Sequence, residues 1–154
     1  MTTFEELGVA PEIIKALKDL RFVEPFPVQI QCIPLLLKGR DVIAQARTGT
    51  GKTAAFGIPI LQTTNPSTRR PQALILAPTR ELAMQVASEI GRCGKYTMLH
   101  TQVVVGGMSM ENQVRGLIRG AQIVVGTPGR IIDHIQRRTL HLENVRVVVL
   151  DEAD

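Results

Sequence analysis

The sequence predicts a doubly wound α/β domain, a parallel sheet with helices on both faces. Three observations carry the prediction. Five short runs rich in β-branched residues recur, at 41–46, 73–78, 101–107, 122–127 and 145–152, each near-continuously apolar, as strands covered on both faces are. Helix-like segments alternate with these runs and the connections are short. At 154 residues the chain suits one domain with a real core and is too short for two of ordinary size.

The elements follow in order. Residues 11–20, PEIIKALKDL, open with Pro at a first helical turn and set Ile13, Ile14, Leu17 and Leu20 on one face. VQIQCIPLLLKG, 28–39, predicts a second helix that ends near Gly39 and is bent or started late by Pro34. A first strand is expected at DVIAQA, 41–46, leading into the glycine-rich ARTGTGKT, 46–53, which opens a third helix. TTNPSTRRPQ, 63–72, has no large apolar residue and reads as a solvated loop, its two arginines included. After the strand ALILAP, residues 79–95 predict a helix whose core stripe is Leu82, Val86 and Ile90 and whose polar face is Arg80, Glu81, Gln85, Glu89 and Arg92. Three further strands, TQVVVGG, QIVVGT and VRVVVLDE, complete the sheet. In sheets of this class ligands gather at the carboxyl ends of the strands, so functional residues are expected just after each one.

Composition narrows the function classes. No segment approaches the roughly 18 uninterrupted apolar residues of a membrane span, and the acidic start MTTFEELG lacks the features of a secretory signal. A cytoplasmic protein with no membrane partner is expected. Cys32 and Cys93 lie far apart without a CxxC, and read as buried free thiols. His100, His134 and His141 are scattered, which gives a structural zinc site little support. The net charge of +4 is compatible with a polyanionic partner without requiring one.

ARTGTGKT has the chemistry of a phosphate cradle. A turn whose backbone N–H groups point at phosphate oxygens needs residues without bulky side chains at Gly49 and Gly51 and a helix N-terminus behind them. Lys52 then supplies a point charge to the β- and γ-phosphates, and the Thr53 hydroxyl is placed to ligate Mg²⁺. Ala46 stands where the generic pattern has its first Gly. At the end of the last strand, Asp151 occupies the position of a carboxylate that holds the same metal, and Glu152 that of a group orienting and deprotonating an attacking water. Taken alone, an acid at a strand end is more often a helix cap or turn residue, and it is the glycine-rich turn in the same sheet that favours the metal-binding reading.

Six stretches in register along nearly the whole chain resemble one family, the DEAD-box ATP-dependent RNA helicases. FVEPFPVQ (22–29) is similar to the Q motif, ARTGTGKT to the Walker A variant in which Ala in first position is usual, and PTREL (78–82) to motif Ia. Gly106 and Gly107 match the paired glycines, TPGR (127–130) matches motif Ib, and DEAD (151–154) is the name itself. The resemblance implies a RecA-like domain, incomplete at its C-terminus, that uses ATP and Mg²⁺ and binds RNA. It implies a Q-motif helical region over 1–39 and an ATP-binding domain from 40 onward. Gln29 would read the adenine edge with its amide and Phe22 would stack on the ring. Thr48, Gly49, Thr50, Gly51, Lys52 and Thr53 would hold the phosphates, with Thr53 and Asp151 as metal ligands. Lys52, Asp151 and Glu152 would be the catalytic groups. Pro78, Thr79, Arg80, Gly106, Gly107, Thr127, Pro128, Gly129 and Arg130 would line a groove gripping the sugar-phosphate backbone of one RNA strand, where small residues allow close approach and guanidiniums meet phosphates.

Two positions depart from the family pattern: Phe26, where Thr or Ser is usual, and Arg21, where Gly is usual. Motif III, the later motifs and the arginine finger of the second RecA-like domain are not in the sequence, so that domain of a parent chain is an expected partner. The expected function is the ATP- and RNA-binding part of a helicase that couples ATP hydrolysis to local RNA unwinding. The alternative is a non-catalytic RNA- or partner-binding module of helicase descent.

Overall fold

The computed structural model describes residues 1–153. Its contacts divide the chain into two units, one of residues 1–63 with 89–98 and one of residues 64–88 with 99 onward.

In the second unit four of the β-branched runs form a parallel sheet. Strands β1 (Ala73–Leu76), β2 (Thr101–Val104), β3 (Ile123–Gly126) and β4 (Val147–Leu150) lie in the order β2-β3-β1-β4. Ala73 pairs with Ile123 on one side and Val147 on the other, and Leu76 with Gly126 and Leu150. All four β3 residues are buried, which is why that run tolerates no polar alternation. β4 is different: Val148 and Leu150 are 57% and 63% exposed, so this strand alternates where burial on both faces was expected. Helices α5 (Met110–Ile118) and α6 (Pro128–Gln136) belong to the same unit. Leu117 and Ile131 from them meet Leu74, Val104, Val124 and Leu140 in one apolar cluster.

The first unit is helical: α1 (Pro11–Asp19), α2 (Pro27–Leu37), α3 (Lys52–Thr63) and, from Glu89 onward, the end of α4 (Arg80–Cys93). Ile13 and Leu17 of α1, Ile33 of α2 and Ile58 of α3 are all but fully buried. Pro34 lies inside α2 without ending it. The buried stripe of α4 is Ala83, Val86, Ala87, Ile90 and Cys93, whereas Leu82 is only half-buried. The expected face holds at Val86 and Ile90 and shifts at Leu82, because small alanines and a thiol pack as core where size alone had pointed to Leu82. Both thiols are free and buried, and burial pushes the Cys93 thiol up to about 12.

Residues 41–46 form no strand, against expectation. An apolar β-branched composition permits a strand, but the backbone N–H and C=O groups need a neighbouring ladder to make one. Ile43 is fully exposed.

Four helices close in one pattern, with a left-handed residue after the C-cap and paired N–H bonds back to the last turn. In α2 the left-handed residue is Gly39 (φ 78°) and in α5 it is Gly120 (φ 100°). In α1 and α6 it is an arginine, Arg21 (φ 61°) and Arg138 (φ 59°). The family's usual Gly at position 21 therefore has a conformational reason, which Arg21 overrides at a cost.

Candidate functional site

The glycine-rich turn is built by its backbone. Gly49 and Gly51 have φ of 84° and 78°, the region L side chains avoid. Gly51 is also tightly approached, since a Cβ there would lie 2.3 Å from Gln29 Nε2 and 2.7 Å from Phe26 Cδ2. Its carbonyl accepts from the Ala55 N–H at 3.1 Å and from Gln29 Nε2–H at 3.0 Å. Lys52 begins α3 and Thr53 follows it, so first-turn N–H groups stand behind the turn, an arrangement suited to phosphate. Within the turn the Thr50 hydroxyl donates to the Arg47 carbonyl, and Thr48 is exposed.

Gln29 is brought to this turn and is 1% exposed. Its Oε1 accepts from the Phe26 N–H at 2.9 Å, the half of a capping box that does not depend on the N-cap side chain. Phe26 stands at the N-cap of α2 and has no acceptor for the reciprocal bond, so the hydroxyl of the usual Thr or Ser is missing where it would cap. Phe22 lines a groove of about 370 Å³ with Phe4, Ile14, Leu17 and Arg21.

In the second unit Asp151 follows β4 directly. Its N–H donates to the Leu76 carbonyl at 2.9 Å, which extends the β4–β1 ladder by one rung, and the residue is 6% exposed. Glu152 turns the chain with φ 55°, an uncommon conformation for a residue with a side chain. Asp154 lies outside the described residues.

The residues expected along a phosphate track come from the ends of β1, β2 and β3. The Thr79 hydroxyl accepts from the Leu82 N–H at 3.2 Å and caps α4. Arg80 follows it, about half exposed, and its Nη1 would be 2.4 Å from a Cβ at Gly107, whose φ is 76°. Motif Ia and the paired glycines thus meet at Arg80 and Gly107. Thr127 precedes α6, whose first residue is Pro128, and its N–H donates to the Val104 carbonyl at 3.1 Å. Gly129 has open space around its Cβ position. Arg130 is only 18% exposed. Its Nη1 donates to the Met108 carbonyl at 3.2 Å and to Gln113 Oε1 at 3.3 Å.

The DEAD/DEAH box helicase family model matches residues 26–154. The chain belongs to the DEAD/DEAH box helicase family. It is 53% identical over its whole length to the DEAD-box ATP-dependent RNA helicase CshA of Geobacillus kaustophilus, of which it covers 33%. It is also 53% identical to the ATP-dependent RNA helicase DeaD of Buchnera aphidicola, of which it covers 26%. A DEAD box protein from Methanococcus jannaschii superposes with a TM-score of 0.93 at 45% identity, covering all of this chain and 42% of that one. S. cerevisiae Dbp5 bound to RNA and ADP BeF3 gives 0.90 at 40% identity over 99% of this chain and 39% of that one. The helicase chain therefore spans about a third or less of the curated relatives it matches, and its parallel sheet with helices is the RecA-like fold of the DEAD-box structures.

Two polar residues of this helicase chain went unremarked in the motifs. Gln113 and His134 are 3% and 0% exposed and hydrogen-bond to each other, Nε2 to Oε1, at 2.9 Å. A polar residue one turn from buried Leu117, and another one turn from buried Ile131, is a detectable signal: such side chains need a partner inside. Burial, then the Arg130 charge, holds His134 below the ordinary imidazole value, with Asp133 opposing.

Proposed function

We propose that this chain is the nucleotide- and RNA-binding part of an ATP-dependent RNA helicase, with residues 1–39 as a Q-motif region and the rest as a partial ATP-binding domain. In the whole protein, ATP binding would clamp one RNA strand and hydrolysis would release it.

One observation carries the nucleotide assignment: the Gln29 amide, tied to Gly51 and Phe26. A glutamine amide has two N–H donors and an oxygen with two lone pairs. Those two bonds use one donor and one acceptor site. One of each remains, which is the complement of adenine N7 and N6–H and rejects the guanine edge. The same tie to Gly51 couples the presence of a base to the shape of the phosphate turn.

The other roles follow motif by motif. Gly49 and Gly51, flanked by Thr48 and Thr50, shape the phosphate turn, Lys52 neutralises phosphate charge, and Thr53 and Asp151 are the metal-ligand positions. Mg²⁺, when bound, supplies neutralisation of the charge on the transferred phosphoryl group. Glu152 is positioned in the motif to take a proton from the attacking water. Arg80, Gly107, Thr127, Gly129 and Arg130 grip RNA by its phosphates, so binding should be indifferent to base sequence and should weaken steeply with salt.

The test is nucleotide preference in the full-length protein. ATP should be hydrolysed in preference to GTP, and Gln29→Ala should bring the two rates together. Equal rates in the unmutated protein would remove the Gln29 assignment, and no RNA-dependent turnover of either nucleotide would favour the non-catalytic module instead.

A further inference from the structure

The stretches expected to grip RNA are held together by a buried polar cluster outside every motif. Gln113 Nε2 donates to the Val105 carbonyl at 2.8 Å, immediately before the paired glycines. Gln113 Oε1 accepts from Arg130 Nη1 at 3.3 Å and faces His134 Nε2 at 2.9 Å. On the far side of the imidazole, His134 Nδ1 lies 2.7 Å from Thr139 Oγ1.

The proton positions follow from these contacts. A carbonyl can only accept, so the NH₂ of Gln113 faces Val105 and its oxygen faces Arg130 and His134. The imidazole must then carry a hydrogen on Nε2, and the Thr139 hydroxyl, whose one proton has Nδ1 at 2.7 Å and the His134 carbonyl at 3.1 Å as acceptors, serves Nδ1 when the ring is neutral. This is a neutral histidine, in keeping with its complete burial beside the Arg130 cation. Turning the amide over would set an NH₂ against a guanidinium and a carbonyl oxygen against a carbonyl oxygen. One orientation is therefore enforced by the Val105 carbonyl and the Arg130 guanidinium, and the His134 Nε2–H adds a second donor to the same oxygen.

We propose that Gln113 is a positioning residue for RNA binding, with His134 as a second donor to its oxygen: one amide sets the Gly106–Gly107 turn through the Val105 carbonyl and the Arg130 guanidinium through its oxygen. The inference rests on the proposed RNA-binding role of these stretches. Arg130 has five N–H donors, and Nη1 is the nitrogen held on Gln113 and Met108. With the Asp133 carboxylate 3.9 Å from Nε, the anchoring fixes the fork against the protein so that Nη2 meets a phosphate without first being ordered, and pre-organisation of this kind is worth affinity.

The experiment is a double-mutant cycle in the full-length protein, read as affinity for a fluorescent poly-uridine strand at several salt concentrations, at a temperature below each variant's melting transition. Arg130→Ala should weaken binding and lower the slope of log affinity against log salt by about one. Gln113→Met, which keeps volume and removes both hydrogen-bonding groups, should weaken binding by about three- to tenfold and lower the slope in the same direction. In the Arg130→Ala background Gln113→Met should have less than half that effect, because part of what it acts through is gone. Gln113→Glu keeps acceptor oxygens toward Arg130 and His134 but sets an oxygen against the Val105 carbonyl, so it should bind RNA less tightly than wild type and more tightly than Gln113→Met. It also serves should Gln113→Met fail to fold. Full additivity of the two substitutions, or Gln113→Glu binding no better than Gln113→Met or Arg130→Ala, overturns the positioning role. No effect of Arg130→Ala at any salt overturns the RNA-binding reading itself, and the inference with it.

Discussion

Arg21→Gly and Arg138→Gly should each stabilise this protein. At the end of α1 the Arg21 N–H donates to the Lys18 carbonyl at 3.0 Å and the Phe22 N–H to the Leu17 carbonyl at 2.9 Å. At the end of α6 the Arg138 N–H donates to the Ile135 carbonyl and the Thr139 N–H to the His134 carbonyl, both at 3.0 Å. These bonds satisfy the last carbonyls only if the intervening residue is left-handed. Holding an L side chain there costs roughly 1–2 kcal/mol, and the greater entropy that glycine loses on folding returns about 0.5–1 kcal/mol. A net gain of about 0.5–1 kcal/mol per site remains. Arg138 is exposed and is the cleaner site, whereas Arg21 lines the groove with Phe4 and Phe22, so losing its stem trims the gain. Gly39→Ala is the control. A Cβ at Gly39 meets nothing within 4 Å, so its expected loss of about 1 kcal/mol is the dihedral cost alone. Gly120→Ala should lose more, because its Cβ would also lie 2.6 Å from Arg69 Cβ. The assay is the urea midpoint at unchanged slope, and in thermal melts about 2–4 °C per kcal/mol for a protein of this size. If Arg138→Gly leaves the midpoint unmoved or lowers it while Gly39→Ala shows its loss, the reasoning is refuted.

Other expectations follow from single sites. Lys52→Ala should abolish ATP turnover by the full-length protein while leaving its melting temperature within a few degrees. Gly51→Ala should lower both turnover and stability, since its Cβ would strike Gln29 and Phe26; turnover close to wild type in either variant would dismiss the phosphate-site assignment. His134 has a folded value below its ordinary one of about 6.5, so the unfolded chain takes up a proton that the folded chain refuses. Its contribution to stability is therefore complete above pH ~6.5 and declines as pH falls through that value toward the lower folded one. Urea midpoints at pH 7.5 and 5.5 should show the decline, and His134→Gln should remove part of it. Finally, β4 pairs with β1 and ends the strand order, with Val148 and Leu150 exposed. The 154-residue chain taken alone should self-associate through that edge, and light scattering should find Val148→Lys more monomeric than the parent.

The strands that were legible in the sequence are those that find paired neighbours in the sheet. Ile123, Val124 and Val125 announce a buried strand because β1 and β2 flank β3 on both sides. The run at 41–46 has the same composition, yet composition states only what a strand would tolerate and not whether a ladder is there to complete it. β4 shows the same limit by halves: its backbone pairs with β1, so the strand forms, but Val148 and Leu150 remain exposed. In α4 Val86 and Ile90 were read correctly as core and Leu82 was not, because Ala83 and Ala87 take the buried places beside them.

The site divides along a similar line. The glycine positions of ARTGTGKT were readable because their requirement is local: a left-handed φ at Gly49 and Gly51 belongs to the turn and to nothing else. Gln29 is proposed as a functional residue only through its motif, while its tie to Gly51, 22 positions away, is a product of how α2 packs on α3. Gln113 and His134, 21 positions apart, lie in no motif and would bear on the proposed site only through what they hold. A residue that contacts a ligand must be of a chemical type the ligand dictates, so its pattern can be recognised along the chain. A residue that positions another answers only to its protein neighbours, and its one mark in the sequence is a polar group on a face that is otherwise apolar. Arg21 leaves a mark of the opposite kind: an ordinary surface residue by composition, it stands at a position whose backbone asks for glycine, and only the φ angle reveals the cost.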